Sequence, residues 1–191
     1  MLPPVEYRIV RYLNLLGGRS LDRATELLCA FWVLCALWSV LTLAAVILDR
    51  KRRVQVAVTV VLALALHFAI SEGLLKHAAL TLVAQRVRPW IAHPDLVAVG
   101  VRFRDSSFPS SHMASSAAVL TALVAYYRKM WPVALLFILA MGIARMHCAM
   151  HYPTDVLAGT ALGIGYGALA VLIVRRAGRP GVRPDTRTAS M

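Results

Sequence analysis

The sequence predicts an all-α integral-membrane protein, and three of its features support this fold class. Of its 191 residues, 59% are hydrophobic and 16% are charged, whereas soluble domains contain roughly 45–50% apolar residues. The apolar residues form long runs without charge, such as residues 27–48 and 54–71, and basic clusters separate these runs. We therefore expect a helical bundle with about five transmembrane helices and an N-terminal interfacial helix, in a single domain covering residues 1–176.

The N-terminal segment, residues 1–20, contains a stretch at residues 5–16 that is too short and too charged to cross the hydrocarbon core. Its apolar residues recur at helical spacing: Val5, Ile9, Tyr12, Leu13 and Leu16. This pattern is typical of an amphipathic helix that lies in the membrane interface. The sequence GGRS then interrupts the helix, and Ser20 is a candidate N-cap for the next one.

Five further segments are long and apolar enough to span a bilayer, which takes roughly 20 residues and fewer where the flanking residues reach the headgroups. The predicted spans cover about residues 27–48, 54–75, 112–128, 131–147 and 155–174. The segment that follows, residues 177–191, is basic and rich in Pro and Gly, and it is predicted to be disordered.

The formal net charge of +12 is carried largely by three clusters at residues 49–53, 128–129 and 175–187. If the spans alternate in direction, all three clusters lie on one side, and the positive-inside rule places that side in the cytoplasm. This distribution favours contact with anionic lipids and argues against nucleic acid as a partner. The N-terminus then lies outside with several arginines, so a re-entrant N-terminal helix is an alternative topology.

Three polar clusters lie at the outer ends of the spans, where ionisable groups are costly to bury and therefore mark candidate functional sites. Their sequences are QRVRPW (85–90), FPSSH (108–112) and ARMHCAMHYPTD (144–155). In the third cluster, Asp155 follows His151 by four residues. A nearby carboxylate orients an imidazole and raises its basicity, as a nucleophile or base requires. The alternative is a helix cap beside a membrane-surface histidine.

The other two clusters supply groups that bind phosphate. Ser110, Ser111 and His112 begin a span, and the first N–H groups of a helix attract anions. A serine there is also a common N-cap, but a cap does not explain His112. Arg88 and Arg86 present guanidinium groups that match phosphate oxygens. Together the three clusters fit phosphoryl transfer without a metal or another cofactor.

Two other patterns predict less. His147 and His151 are four residues apart, as metal ligands on a helix often are, but the sequence offers no third ligand. Cys29 and Cys35 lie in the first predicted span and Cys148 lies near an outer loop, so the three cysteines predict no disulfide framework.

The chain resembles the type-2 phosphatidic acid phosphatase superfamily of membrane lipid phosphatases, which is related to the vanadium haloperoxidases. That family's signature reads K-x6-RP, then PSGH, then SR-x5-H-x3-D. The counterparts here are TLVAQRVRP (81–89), PSSH (109–112) and ARMHCAMHYPTD (144–155). The chain departs from this signature at Thr81, Ser111 and Ala144, which replace the lysine, the glycine and the second serine of the signature.

The resemblance implies a role for each matching residue. His151 attacks phosphorus and becomes a phosphohistidine, Asp155 orients His151, and His112 protonates the leaving oxygen. Arg88 and Arg145 bind the phosphate, helped by Ser110 and the backbone near Ser111. Arg86 is our candidate substitute for the missing lysine.

The relaxed first motif and the SFPSxH sequence are most similar to the bacitracin-resistance type of undecaprenyl-pyrophosphate phosphatase. We therefore expect a bacterial inner-membrane enzyme that recycles the polyprenyl carrier, with its active site facing the periplasm or the outside. Phosphatidylglycerophosphate, phosphatidic acid and lipid A phosphatases share the same core and are alternatives. A non-catalytic lipid carrier or scramblase is an alternative from another class. The sequence leaves the oligomeric state open.

Overall fold

The computed structural model describes residues 4–77 and 86–178, and in these ranges the regular structure is helical without strands. The helices are α1 (Pro4–Leu15), α2 (Arg19–Cys29), α3 (Phe31–Leu48), α4 (Arg53–His67), α5 (Pro89–Ala92), α6 (Ser111–Tyr126), α7 (Trp131–His147) and α8 (Pro153–Ala177). A π-helix, Phe68–His77, continues α4, and a 3-10 turn, Arg128–Met130, precedes α7. Thr81 and residues 179–191 of the predicted tail lie outside the described residues.

Four of the described helical segments are long and apolar enough to cross a membrane: Phe31–Leu48, Arg53–Leu75, Arg128–His147 and Pro153–Ala177. A shorter apolar helix, α6, lies among them. The prediction of an all-α membrane bundle is confirmed. The first long helix begins at Phe31 rather than at residue 27, because Ala30 has an extended backbone (φ −69°, ψ 122°) that separates it from α2.

Helices α6 and α8 pack more extensively than any other described pair, and α4 packs against both. Glycines on one face of α8, Gly159, Gly163 and Gly167, allow this close approach. An added Cβ atom would lie 2.5 Å from the Ser110 carbonyl oxygen at Gly159 and 2.3 Å from that of Ala114 at Gly163. Small residues at this spacing are typical of membrane helix contacts, where packing rather than the hydrophobic effect drives association.

Helix α1 buries two polar residues against the protein and exposes several apolar ones. Glu6, Val10 and Asn14, spaced four residues apart, are buried, whereas Val5 and Tyr12 are largely exposed. This is the reverse of a surface helix in a soluble protein. It is the arrangement that a helix with one side in lipid and the other against protein requires.

The two ends of the bundle differ in character. At one end, residues from two of the predicted basic clusters bond to the C-terminal end of α6, which directly precedes the third cluster. Arg52 donates a hydrogen bond to the Tyr126 carbonyl oxygen (3.3 Å), and Arg175 donates one to that of Ala125 (2.7 Å). Helices α1 and α2 lie at the opposite end, where the Asn14 amide donates to the carbonyl oxygen of His147 (2.6 Å). The polar clusters around residues 86–112 and 145–155 share this second end.

Substitution of Gly163 tests the contact between α6 and α8. In Gly163→Ala the new methyl group meets backbone that has little room to move, so we expect the free energy of unfolding to fall by about 1–3 kcal/mol. The measurement is the thermal midpoint in detergent. Gly165→Ala is the matched control because nothing lies within 4 Å of its added Cβ. Equal midpoints for the two variants would contradict this account of the packing.

Candidate active site

A pocket of about 300 Å³ lies at the end of the bundle that holds α1 and α2. It gathers residues from all three polar clusters of the sequence. Its lining includes Arg88, Ser111, His112, Arg145 and His151. The structure therefore brings both predicted catalytic histidines and both predicted phosphate-binding arginines of the signature into one cavity.

The His151 ring is 1% exposed and is held in one orientation. Its Nδ1 lies 2.7 Å from the carbonyl oxygen of Ser107. Because a carbonyl only accepts hydrogen bonds, Nδ1 carries the proton and Nε2 keeps its lone pair. That lone pair faces the guanidinium groups of Arg145 (3.0 Å) and Arg88 (3.4 Å).

The backbone after α7 explains how Arg145 and His151 meet. The helix ends with a Schellman motif in which the Met150 N–H donates to the Arg145 carbonyl oxygen (3.2 Å) and the Ala149 N–H donates to that of Met146 (2.9 Å). Ala149 has φ 54°, a left-handed conformation that glycine usually adopts and that costs a residue with a Cβ roughly 1–2 kcal/mol. The reversal places His151 beside the guanidinium of Arg145.

Asp155 stabilises the turn that carries His151 more directly than it contacts the ring. Its Oδ2 accepts the backbone N–H of Tyr152 (2.8 Å) and lies 3.9 Å from Nδ1 of His151. Its backbone carbonyl accepts the N–H of Ser110 (3.1 Å), which joins the start of α8 to the start of α6. The hydrogen bond from the imidazole Nδ1–H is accepted by the backbone carbonyl oxygen of Ser107, a residue that sequence reasoning missed.

Both pocket arginines are only 2% exposed. Arg88 donates to the Asp105 carboxylate (2.7 Å) and to the carbonyl oxygens of Asp105 (3.0 Å) and Met150 (3.1 Å). Among the described residues, Nε of Arg145 has no hydrogen-bond partner. A buried donor left unsatisfied costs about 1–3 kcal/mol, and a bound phosphate oxygen would supply the acceptor.

The start of α6 supplies the remaining predicted groups. Ser110 occupies the N-cap position without a side-chain capping bond, and its buried hydroxyl has no partner among the described residues. The Ser111 hydroxyl donates to the carboxylate of Glu72, which also lines the pocket and which sequence reasoning did not place there. Nε2 of His112 lies 2.9 Å from the Cys29 carbonyl oxygen, so it carries a proton.

The structure does not bring Arg86 into this pocket. Its guanidinium pairs with the carboxylates of Glu6 and Asp155 (2.6 Å to Asp155) and donates to the Thr154 hydroxyl (2.5 Å). Burial raises the pKa of Glu6, but the hydrogen bonds from Thr154 and the charge of Arg86 outweigh it, so the net pKa is lowered and Glu6 is ionised at neutral pH. The donors of Arg86 are therefore engaged by protein carboxylates rather than directed at a phosphate.

His147 also points away from the pocket. Its Nδ1 lies 3.0 Å from the Thr25 hydroxyl, and its Nε2 lies 3.4 Å from Asp22, so it fastens α2 to α7. The described residues contain no group of three or more His, Cys, Asp or Glu side chains arranged to hold a metal ion.

A family model described as the PAP2 superfamily matches residues 54–179, which is more than half of the chain. This chain belongs to the PAP2 superfamily. The family that the sequence motifs predict is thereby confirmed, whereas the bacitracin-resistance subtype stays a prediction.

Two solved structures share the fold of this PAP2 chain. The crystal structure of Aquifex aeolicus LpxE has a TM-score of 0.67 at 20% identity, covering 90% of this chain and 97% of that one. The PAP2-type phosphatidylglycerolphosphate phosphatase from Bacillus subtilis has a TM-score of 0.64 at 21% identity, covering 92% and 87%. At these identities the likeness shows the fold alone.

A curated relative matches over a shorter region. The decaprenylphosphoryl-5-phosphoribose phosphatase of Mycobacterium tuberculosis is 33% identical over 96 residues, which are 49% of this chain and 52% of the relative. The PAP2 chain thus spans about half the length of the curated relatives it matches.

The charge around His151 generates a prediction about pH. Burial, followed by the charges of Arg145 and Arg88, lowers the pKa of His151 well below its ordinary value of about 6.5. Since the neutral ring is the nucleophilic form, activity persists below the pH at which an exposed histidine is protonated. We expect the acidic limb of the kcat/KM profile below pH ~6.5. In Arg145→Gln the limb moves to higher pH, because one charge that opposes protonation is gone.

The two profiles are measured with the same substrate, so that titration of the substrate phosphate cancels in the comparison. An acidic limb that stays in place in Arg145→Gln would show that this guanidinium does not control the protonation of His151.

Proposed function

We propose that this chain removes a phosphate group from a membrane lipid through a covalent phosphohistidine on His151. The observation that carries the proposal is the position of Nε2, whose lone pair lies within 3.4 Å of two buried guanidinium groups. A phosphate bound to these groups presents its phosphorus to the nitrogen that attacks it. In this mechanism the arginines neutralise the equatorial oxygens without a metal ion.

The reaction proceeds in two displacements at phosphorus. In the first, Nε2 of His151 bonds to phosphorus, the bond to the leaving oxygen breaks, and His112 gives that oxygen a proton. In the second, His112 takes a proton from water, the water oxygen displaces Nε2, and orthophosphate leaves. Arg88 and Arg145 hold the phosphate throughout. The Ser107 carbonyl oxygen accepts a hydrogen bond from Nδ1–H of the phosphorylated ring.

The first amides of α6 contribute to the same site. The N-terminus of this helix lies beside the turn that carries His151, because the N–H of Ser110 bonds to Asp155. The first N–H groups of a helix attract anions, and the helix dipole adds positive charge at this end of α6. These groups support phosphate binding together with the Ser110 hydroxyl.

An apolar groove next to the pocket supports a lipid substrate with a long chain. The groove has a volume of about 390 Å³ and runs between α3 and α4. It shares Phe31, Leu34, Phe68 and Ser115 with the phosphate pocket. Leu43 and Val61, which also line it, are more than half exposed, so the groove faces the surrounding lipid.

Undecaprenyl pyrophosphate is the first substrate that we propose. The SFPSSH sequence and the relaxed first motif support it, and so does an apolar groove suited to a prenyl chain. With this substrate, the protein would recycle the polyprenyl carrier, as the bacitracin-resistance type of phosphatase does. Phosphatidylglycerophosphate, phosphatidic acid and lipid A are the alternative substrates with which undecaprenyl pyrophosphate is compared.

The mechanism predicts that His151→Ala loses at least about 10³-fold in turnover, because it lacks the atom that bonds to phosphorus. Purified wild type and variant are compared on long prenyl pyrophosphate, phosphatidylglycerophosphate, phosphatidic acid and lipid A, with orthophosphate release as the readout. Wild type quenched during turnover carries an acid-labile, base-stable phosphoryl group on His151.

His147→Gln is the matched control, since this buried histidine contacts α2 rather than the pocket. We expect it to keep most of the activity. Turnover of His151→Ala at the rate of the control would disprove the phosphohistidine. Absence of phosphate release by wild type from every lipid would instead favour a non-catalytic lipid-binding or scramblase-like protein.

A second substrate class is favoured by Glu72. Its carboxylate lines the phosphate pocket, where it repels an anionic leaving group and accepts hydrogen bonds from hydroxyl groups. The leaving oxygen of a prenyl pyrophosphate belongs to an anionic prenyl phosphate, whereas that of a lipid-linked sugar phosphate is a sugar oxygen, and the nearest negative charge of that leaving group is the phosphodiester on the other side of the sugar. The curated relative is named for a decaprenylphosphoryl-phosphoribose substrate of this second kind. A polyprenyl-linked sugar phosphate is therefore our second candidate.

Glu72→Gln separates the two substrate classes. Removing the charge favours the anionic leaving group, so we expect kcat/KM for prenyl pyrophosphate to rise about tenfold relative to a lipid-linked phosphosugar, or roughly 1.4 kcal/mol. Ser111→Ala is the control, because it removes the hydrogen bond to Glu72 and keeps the carboxylate. An equal change for both substrates in Glu72→Gln would assign Glu72 a structural role.

We further propose that the basic end of the bundle faces the bacterial cytoplasm, so that the phosphate pocket opens toward the periplasm or the outside. Val101, which is 68% exposed at the pocket end, provides the test. In a Val101→Cys variant with the native cysteines replaced, a membrane-impermeant thiol reagent should label intact spheroplasts. Labelling confined to inverted vesicles would reverse the orientation.

A further inference from the structure

Two cysteine side chains meet beside the active site although they lie 119 positions apart in the sequence. The Sγ atoms of Cys29 and Cys148 are 3.9 Å apart, and both side chains are free thiols. Cys148 is 1% exposed and Cys29 is partly exposed. The third cysteine, Cys35, is exposed in the groove between α3 and α4 and provides an internal comparison.

The pair is connected to the catalytic groups on both sides. The backbone carbonyl of Cys29 accepts the hydrogen bond from Nε2 of His112 (2.9 Å). Cys148 directly follows α7, between Arg145 and His151 in the sequence. A displacement of either cysteine therefore moves a backbone segment that positions a catalytic side chain.

We propose that Cys29 and Cys148 are a modification site that reacts with a disulfide-type oxidant to form a reversible intramolecular disulfide, and that this bond lowers phosphatase activity. The part concerning activity rests on the proposed function, whereas formation of the bond does not.

Cys29 is the attacking thiol of the pair. The hydrogen bond from Cys148 lowers the pKa of Cys29 against the opposing effect of burial, and Arg145 adds to the lowering. Donating that bond raises the pKa of Cys148. The thiolate is the reactive form. A second pocket, of about 340 Å³, is lined by Cys29, Glu26 and Phe103 and is the route by which the oxidant would reach Cys29 in this proposal.

The chemistry is two successive thiol–disulfide exchanges. The Cys29 thiolate attacks one sulfur of the oxidant, forms a mixed disulfide and expels the first thiolate. Cys148 loses its proton, attacks the Cys29 sulfur and expels the second thiolate. The two protein thiols give up two electrons and two protons in total, and the oxidant is reduced to two thiols.

Closing the bond requires a movement of the backbone. A disulfide has an S–S distance of about 2.05 Å, well below the 3.9 Å between the two thiols. Cys148 is fixed by the Schellman motif at the end of α7, whereas Cys29 precedes the single-residue break at Ala30. The shift is therefore taken up at the junction of α2 and α3, which carries the carbonyl that holds His112. Misplacing a general acid lowers the rate of the step that it assists.

The test uses the 191-residue chain in detergent with Cys35→Ser as the background, so that only the pair can react. The reduced protein is treated with oxidised glutathione. Free thiols are counted by alkylation, and the cross-link is located by peptide mass mapping. We expect both thiols to disappear, with loss of two hydrogen atoms from the intact mass. We expect kcat/KM to fall about tenfold or more and to recover on reduction.

Cys148→Ser on the same background is the control. It retains the activity of the reduced protein, and after oxidation it carries at most a mixed disulfide on Cys29. Two free thiols remaining in the parent after oxidation would overturn the proposal, and so would a disulfide that leaves kcat/KM unchanged. If no form of the protein releases phosphate, the proposed function fails, while the thiol count still decides whether the bond forms.

Discussion

The burial of two guanidinium groups around one neutral imidazole is the constraint on which the rest of this structure depends. Arg88 and Arg145 are almost entirely removed from solvent, and burying a charge is costly unless an anion or several hydrogen bonds compensate it. Asp105 and the carbonyls of the flanking loops compensate Arg88. Burial, together with these positive charges, lowers the pKa of His151, so in the proposed mechanism one arrangement both attracts a phosphate and preserves the lone pair that attacks it.

Such a cluster needs a rigid frame, and the frame comes from two backbone features. The glycines of α8 let α6 approach until the N–H of Ser110 bonds to the carbonyl oxygen of Asp155, which sets the start of α6 against the turn that carries His151. The Schellman motif after α7 reverses the chain within a few residues of Arg145. Precision at the site is therefore a property of helix packing and helix ends rather than of long side chains reaching across a cavity.

The sequence predicts those parts of the molecule that have a local signature. Apolar runs and basic clusters indicated a helical membrane bundle, and the order of the three motifs led to the family and to a pocket that contains His112 and His151. Backbone acceptors have no such signature, so the carbonyls of Ser107 and Cys29 could not be identified beforehand. The partner of a charged side chain is equally hard to predict from sequence. The sequence shows the guanidinium of Arg86, but the Glu6 carboxylate that pairs with it lies 80 positions away.

Helix α1 has both a local sequence signature and contacts with distant residues that the sequence does not reveal. Its apolar spacing marks an interfacial helix, yet the residues between the apolar positions connect it to the site. Glu6 binds Thr154 and Arg86, and Asn14 binds the carbonyl of His147. These polar contacts hold the buried side of α1 against the protein, while Val5 and Tyr12 remain exposed on the other side. Through the Glu6–Arg86–Asp155 chain of charges, α1 is connected to the turn that carries His151.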